Sequence, residues 1–564
     1  QTLSKCGYNA IHLTPVQPIG PSGSAYSLSD RLDISDTLFD VPLKSKEKYQ
    51  QLKKTIETLR NKYDVASIID VVLSHISSAS PIVLDHPEIC YTTENCPHLK
   101  VGYGFDALIH QCIDEVIAGN YRDGLGIFNT PDDVYRFIDH FKQNYMIPGQ
   151  FWLYYVIDVE RHIREYEDYE RTHPDIKKGS DASSEELAKR LEKLVTVNGT
   201  YEKNHITVPI EAAYPLMPSK DGYVRALDVL NVDYYRHYDD DVNAALKNCE
   251  NVLMYKCFDA NGPQMRKMTR EEHILPYYFQ VIDGNNSQGK HVHIVAAHHG
   301  WIFGGDPFFD FVGDINSKVY IRREAIVWED SLKLNYGKTY EEHKFLWDHM
   351  AQYAVSNAEI FDGFRLDNCH SVPLEALEFI LEKARAVNPS LIVLAELFAD
   401  NQAAVTQYVV RCGIQGLVRE AARGKNPQEL NGVAYQSSWF RPVGEIYEES
   451  LYDELPADPQ PMDGWTYDLT HDNEPHEGNR NSNDALATAA VVSMTIGTVG
   501  SVRGYDELVP YRICCVNEKK MYRVYDWDSI QSIGISAGKY ALNKLHERLA
   551  VEGKIGRASC RERV

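Results

Sequence analysis

The sequence predicts an α/β protein: a (β/α)8 barrel of the TIM type, interrupted by one large insertion. Three observations predict it. Seven short apolar runs each end in a polar or charged residue and a loop, the pattern of parallel strands buried on both faces. Stretches with helical apolar spacing separate many of these runs. Acidic residues stand at or just beyond several run ends, and barrels of this kind carry function at the C-terminal ends of their strands.

In chain order the runs are residues 10–16, 67–73, 360–366, 391–395, 414–418, 466–469 and 500–502. Residues 46–62 and 374–387 have apolar positions at helical spacing with charged opposite faces. Nearly 300 residues separate Leu73 from Ile360, so the large insertion falls there, after the third barrel strand. An eighth strand is missing. The chain opens at Gln1 without a methionine, and the expectation is that truncation has removed the first strand. The expected organisation is 1–75 as the first part of the barrel, 76–340 as a mixed and helical insertion, and 341–553 as the second part of the barrel. Within the insertion, residues 158–197 are highly charged and read as helical, with a break at 179–184. The stretch 554–564 ends in IGRASCRERV, which reads as a translated sequencing adapter rather than protein structure.

Composition narrows the function. Of 564 residues, 43% are apolar and 25% charged, an ordinary globular balance. The net charge of -23 disfavours nucleic acid and anionic membranes as partners, whereas a neutral polymer meets no such repulsion. The 11 cysteines have no regular spacing and read as reduced thiols of a cytoplasmic protein. The most apolar run, 485–502, is broken by Thr, Ser and Gly and reads as a buried helix and strand, not a membrane span.

Three carboxylates carry the chemistry: Asp367 in GFRLD, Glu396 after Val-Leu-Ala, and Asp472 in Thr-His-Asp-Asn. On successive strands of one barrel they converge on its mouth. Retaining glycoside chemistry needs a nucleophilic carboxylate and an acid/base carboxyl about 5–5.5 Å apart. Arg365 lies two residues before Asp367, on the same strand face, and is expected to lower the Asp367 pKa. Glu396 follows an apolar run with no adjacent cation in sequence, which suits a carboxyl kept protonated by desolvation. Taken singly, an acidic residue at a strand end is as readily a helix cap or an ion-pair partner. Trp301, in the Gly-rich aromatic loop around His298-His299-Gly300, is a candidate to stack on a glucose ring at an outer subsite, or simply to pack on the insertion. His298 and His299 lack the spacing of a metal site.

Residues 70–75 (DVVLSH), GFRLD at 363–367, the Glu396 strand and His471-Asp472 resemble, in order, the four signature segments of the α-amylase superfamily. GYNAIH at 7–12, RLDNCHS at 365–371, THDNE at 470–474, RGYDELVP at 503–510 and ALNKLH at 541–546 resemble the eukaryotic glycogen debranching family more closely. The resemblance implies the roles: Asp367 nucleophile, Glu396 general acid/base, Asp472 the third carboxylate. It implies that Asp70, His75, Arg365 and His471 hold the sugar at the cleavage point, and that Tyr26 stacks beneath it. It implies 4-α-glucanotransfer of a maltotriosyl unit, with glycogen, phosphorylase limit dextrin and maltooligosaccharides as partners and no cofactor. The α-1,6-glucosidase part of that family is expected to lie outside this chain. Ser74 replaces the calcium-binding Asn of many amylases, so no structural calcium or other metal is expected. His370 and Ser371 replace a Lys-His pair, so the acceptor-side contact at His370 is expected to differ. The alternatives are a hydrolytic α-amylase of the same fold and a non-catalytic amylase-like binding subunit.

Overall fold

The computed structural model describes residues 7–121, 124–260, 262–270, 274–399, 401–420, 426, 428–429, 463–467, 483–493, 498–502 and 536–551. The chain divides into two compact units: Gln1–Ile89 with Asp306–Phe308 and Leu334–Val564, and Cys90–Gly305 with Phe309–Lys333.

The first unit is built on seven strands: β1 (Ala10–Leu13), β2 (Ala66–Val72), β3 (Gly363–Asp367), β4 (Ile392–Ala395), β5 (Gly416–Glu420), β6 (Asp463–Tyr467) and β7 (Thr498–Gly500). They lie side by side in that order in one sheet, and every pairing is parallel. Each of the seven apolar runs thus overlaps a strand. Helices α1 (Ser45–Tyr63), α2 (Lys344–Ala358), α3 (Leu374–Val387) and α4 (Gln402–Cys412) provide crossovers. In α3, Leu377, Ile380, Leu381 and Ala384 are buried, the i, i+3, i+4, i+7 stripe that docks a helix on a sheet. Asp64 ends α1 in the left-handed conformation, which lets the next backbone N–H, of Val65, donate to the Leu59 carbonyl. Gly413 ends α4 the same way. The apolar run near the C-terminus forms the helix Asn483–Val492 and then β7, as expected. Among the described residues, no helix is long and apolar enough to cross a membrane.

The register sorts the sheet into two faces. Asp70 sits level with Arg365, Arg365 with Leu394, and His12 with Ile68. With side chains alternating by two, Ile68, Gly363, Leu394 and Val418 share one face with His12, Asp70, Arg365 and Asp367. Ile68, Leu394 and Val418 form a buried apolar cluster on that face. His12 is level with Ile68, Asp70 and Arg365 are level with Leu394, and Asp367 lies one side-chain step nearer the C-terminus of β3. The opposite face carries Ile69, Val71, Phe364, Leu366, Val393 and Leu417, all buried.

Gly363 makes this layering possible. A Cβ there would lie 2.6 Å from Ile68 Cδ1 and 2.7 Å from the Ile392 carbonyl oxygen. Gly363→Val is therefore expected to force β2 and β4 away from β3, costing about 1–3 kcal/mol by overpacking. A thermal melt of the variant checks this, and an unchanged midpoint contradicts it.

The second unit is mostly helical. A 39-residue helix, Lys220–Phe258, runs through it. One end of this helix, with Val242, Leu246 and Leu253, shares a core with Phe105, Phe128, Phe137 and Phe141. The other, with Tyr223 and Leu227, shares a second core with Tyr166, Leu187 and Leu191. The charged stretch forms helices Val159–Thr172 and Ser184–Glu192; the break opens after Thr172, earlier than the Gly-Ser segment, and Thr196–Val197 is a short strand rather than helix. An antiparallel ladder joins strands Phe279–Asn285, His291–Ile302 and Ala325–Lys333. The seven described cysteines are all free thiols.

Candidate active site

The site stands at the C-terminal ends of β1 to β4, and its centre is a cation. Arg365 on β3 is buried, with a side chain 7% exposed. Its Nη1 lies 3.1 Å from Asp70 Oδ1 and 2.7 Å from Asp367 Oδ1, and its Nη2 lies 3.0 Å from Glu396 Oε2. One guanidinium thus binds carboxylates from three adjacent strand ends. This follows from parallel register: Asp70 is level with Arg365, Asp367 is one side-chain step along β3, and Glu396 directly follows β4.

The turn after β3 places Glu396. Asn368 has a φ of 43°, in the left-handed region that Asn tolerates better than most residues. This turn lets the Asn368 backbone N–H donate to Glu396 Oε2 at 3.0 Å, and the next N–H, of Cys369, donate to the Glu396 carbonyl at 3.0 Å. The Asn368 side-chain amide donates to Asp367 Oδ2 at 3.3 Å. Asn368 therefore touches both carboxylates.

Asp70 is fully buried and is held on both of its oxygens. Oδ1 faces Arg365, while Oδ2 accepts from the Tyr26 hydroxyl at 3.0 Å and lies 3.1 Å from His12 Nε2. Burial alone would push this carboxyl up. The charge of Arg365, together with His12 and the Tyr26 hydroxyl, outweighs burial and holds it at about 2.

Asp367 behaves in the opposite way, and this corrects the expectation from sequence. Its carboxyl is pushed up from the usual range, first by burial, then by the neighbouring Glu396 and Asp70 charges, with Arg365 pulling it down but not far enough. The cause is burial and crowding: the Glu396 and Asp70 charges oppose ionisation of Asp367, and Arg365 offsets them only in part. The second correction concerns Glu396. It does have an adjacent cation, Arg365 Nη2, supplied by the neighbouring strand rather than by its own segment.

The other expected residues fall in different places. His75 is buried; its Nδ1 is 3.0 Å from Ser74 Oγ and its Nε2 is 3.1 Å from the Tyr26 carbonyl oxygen. The carbonyl can only accept, so Nε2 carries the proton and the Ser74 hydroxyl donates to Nδ1. Ser74 thus orients His75. His370 lies half-buried in the 3₁₀ turn Cys369–Ser371, directly after Asn368. Trp301 belongs to the second unit, on strand His291–Ile302, and is 40% exposed. Asp472 and His471 lie outside the described residues.

His12 and Asn368 were not singled out from sequence. A signal for His12 existed: it is a polar residue within β1 in the apolar run 10–16 and, by the register of β1 and β2, faces the same side as Asp70. Asn368 gave no such signal, because its role depends on a left-handed turn.

The fold and the site define the class: an α/β protein of the α-amylase type, with clustered carboxylates at the ends of parallel strands. The chain belongs to the family described as "Glycogen debranching enzyme, glucanotransferase domain", which matches residues 1–392. It is 30% identical to the glycogen debranching enzyme of Saccharomyces cerevisiae over 95% of this chain, and spans 37% of that enzyme's length. Among solved structures, an α-amylase from Lactobacillus plantarum is similar at 9% identity and a TM-score of 0.40, covering 97% of this chain and 74% of that one. An α-amylase from Geobacillus thermoleovorans complexed with acarbose is similar at 11% identity and a TM-score of 0.39, covering 97% and 70%.

Proposed function

We propose that this chain moves a short α-1,4-glucan, a maltotriosyl unit, from a branch of glycogen or limit dextrin to another chain end. Maltooligosaccharides would serve as smaller donors and acceptors, and the setting would be the cytoplasm. One observation carries the reading: Arg365 gathers Asp70, Asp367 and Glu396 around a single point.

The reaction runs as a double displacement with net retention. Asp367 attacks the anomeric carbon while Glu396 gives its proton to the departing glycosidic oxygen. The donor stub leaves, and the glucan rests as an ester on Asp367. The 4-hydroxyl of an acceptor chain end then attacks the same carbon, Glu396 takes its proton, and Asp367 is released. Arg365 lowers the cost of ionising Asp367 in a buried site. Tyr26, tied to Asp70 by its hydroxyl and to His75 through its carbonyl, supplies the aromatic platform beneath the sugar. Asp472 and His471 complete the sugar contacts, His370 borders the acceptor side, and Trp301 offers an outer stacking face.

Incubation of the enzyme with a single maltooligosaccharide tests the proposal. Transfer yields both longer and shorter chains. Only shorter chains would mark a hydrolase, and no change at all would mark a binding protein.

A further inference from the structure

The geometry points to His12 as a positioning residue for the transfer reaction, an inference that rests on the function proposed above: His12 fixes the Asp70 carboxylate and, through it, both the Tyr26 hydroxyl and the Arg365 guanidinium.

His12 lies on β1 with a side chain 23% exposed, beside a carboxylate with no exposure at all. An apolar side chain would serve the strand equally well, yet the imidazole sets a polar nitrogen 3.1 Å from a buried oxygen. That oxygen, Asp70 Oδ2, also accepts from the Tyr26 hydroxyl, so His12 and Tyr26 meet at one atom. A carboxylate is an acceptor only, so the nitrogen facing it is the protonated one.

The consequence for the nucleophile comes from the other Asp70 oxygen. Arg365 Nη1 is shared between Asp70 Oδ1 at 3.1 Å and Asp367 Oδ1 at 2.7 Å. Whatever Asp70 gains from this nitrogen, Asp367 loses. With His12 in place, Oδ2 faces a polar nitrogen from the β1 side beside the Tyr26 hydroxyl, and Asp70 draws less on Nη1. Without it, Oδ2 is left with the Tyr26 hydroxyl, and the buried carboxylate pulls the guanidinium toward itself. Asp367 then loses part of its hold on the Arg365 cation, while Tyr26 loses a fixed anchor. Both losses fall on the rate of the chemical step more than on glucan affinity.

The test compares three variants of the full-length enzyme in the maltooligosaccharide transfer assay, with a thermal melt of each. His12→Ala is expected to lower kcat about tenfold, the loss of roughly one hydrogen bond to a charged group, with KM little changed. His12→Gln extends its amide nitrogen to the level of Nε2 and is expected to recover most of the rate. His12→Asn ends at the level of Nδ1, falls short of Asp70, and is expected to behave like the alanine variant. If the alanine variant does not fold, the Gln and Asn pair decides the matter. A fast Gln variant beside a slow Asn variant, melting alike, supports the inference. Equal rates for Gln and Asn, or an unchanged kcat in His12→Ala, overturn it and leave the proposed function standing, provided the wild-type enzyme transfers glucan. A wild-type enzyme that hydrolyses or does nothing removes the proposed function and this inference together.

Discussion

Asp367→Asn abolishes transfer, lowering kcat by about 10⁴-fold or more, and at the same time raises the melting temperature. The first effect is loss of the nucleophile: an amide cannot form the glycosyl ester, and the residues left behind supply only binding and electrostatics. The second follows from crowding. Three carboxylates share one guanidinium in a buried site, and Asp367 is pushed up from its usual 3.8. An acid whose folded pKa exceeds its unfolded value favours the folded state while protonated. That contribution is complete below pH 3.8 and is lost as pH rises through the folded value. The wild-type protein therefore loses stability on this account above pH 3.8, and the asparagine variant does not. The gain in the variant is expected to be larger at pH 8 than at pH 5, read from melts at both. This is stability given up for function at a working carboxylate.

Arg365→Ala has the reverse signature. Removing the guanidinium leaves Asp70, Asp367 and Glu396 together without their shared cation, and breaking one side of a buried ion cluster costs about 3–5 kcal/mol. Asp70 shows why. Its folded value of about 2 lies below the usual 3.8, so it stabilises the fold above pH 3.8, and that stability is lost as pH falls through about 2. Arg365 is the strongest of the groups that hold it down. Without Arg365 the carboxyl rises, and the same residue favours folding only when protonated. The variant is therefore expected to melt far below wild type at pH 8 and to recover part of the difference near pH 5. Transfer activity is lost at both. A variant that melts like wild type at pH 8 contradicts this account of the site.

Much of the fold was legible because parallel strands announce themselves. Runs such as Ser67–Leu73 and Leu391–Ala395 are apolar on both faces, and α3 shows an unbroken helical stripe. From sequence, Asp367 and Glu396 stood out as carboxylates at or just beyond strand ends, Arg365 by its spacing from Asp367, and Asp70 through the family resemblance. What escaped was set by contacts between strands. Sequence shows Arg365 near Asp367 but hides its bonds to Asp70 and Glu396, so one cation was credited to one carboxylate instead of three. His12 was passed over because its partner lies across β1 and β2, 58 positions away in sequence. Asn368 was passed over because a left-handed residue gives its backbone N–H a role that side-chain type does not reveal.

The covalent bond to Asp367 is the claim on which the rest depends. Trapping answers it most directly: the enzyme is reacted with a slow maltosyl-type donor that forms the ester faster than acceptors release it, then digested and mapped by mass. The account predicts one glucan on the peptide containing Asp367, absent in Asp367→Asn and discharged when maltooligosaccharide acceptor is added. A label on another residue, or steady transfer by Asp367→Asn without any trapped ester, would contradict it.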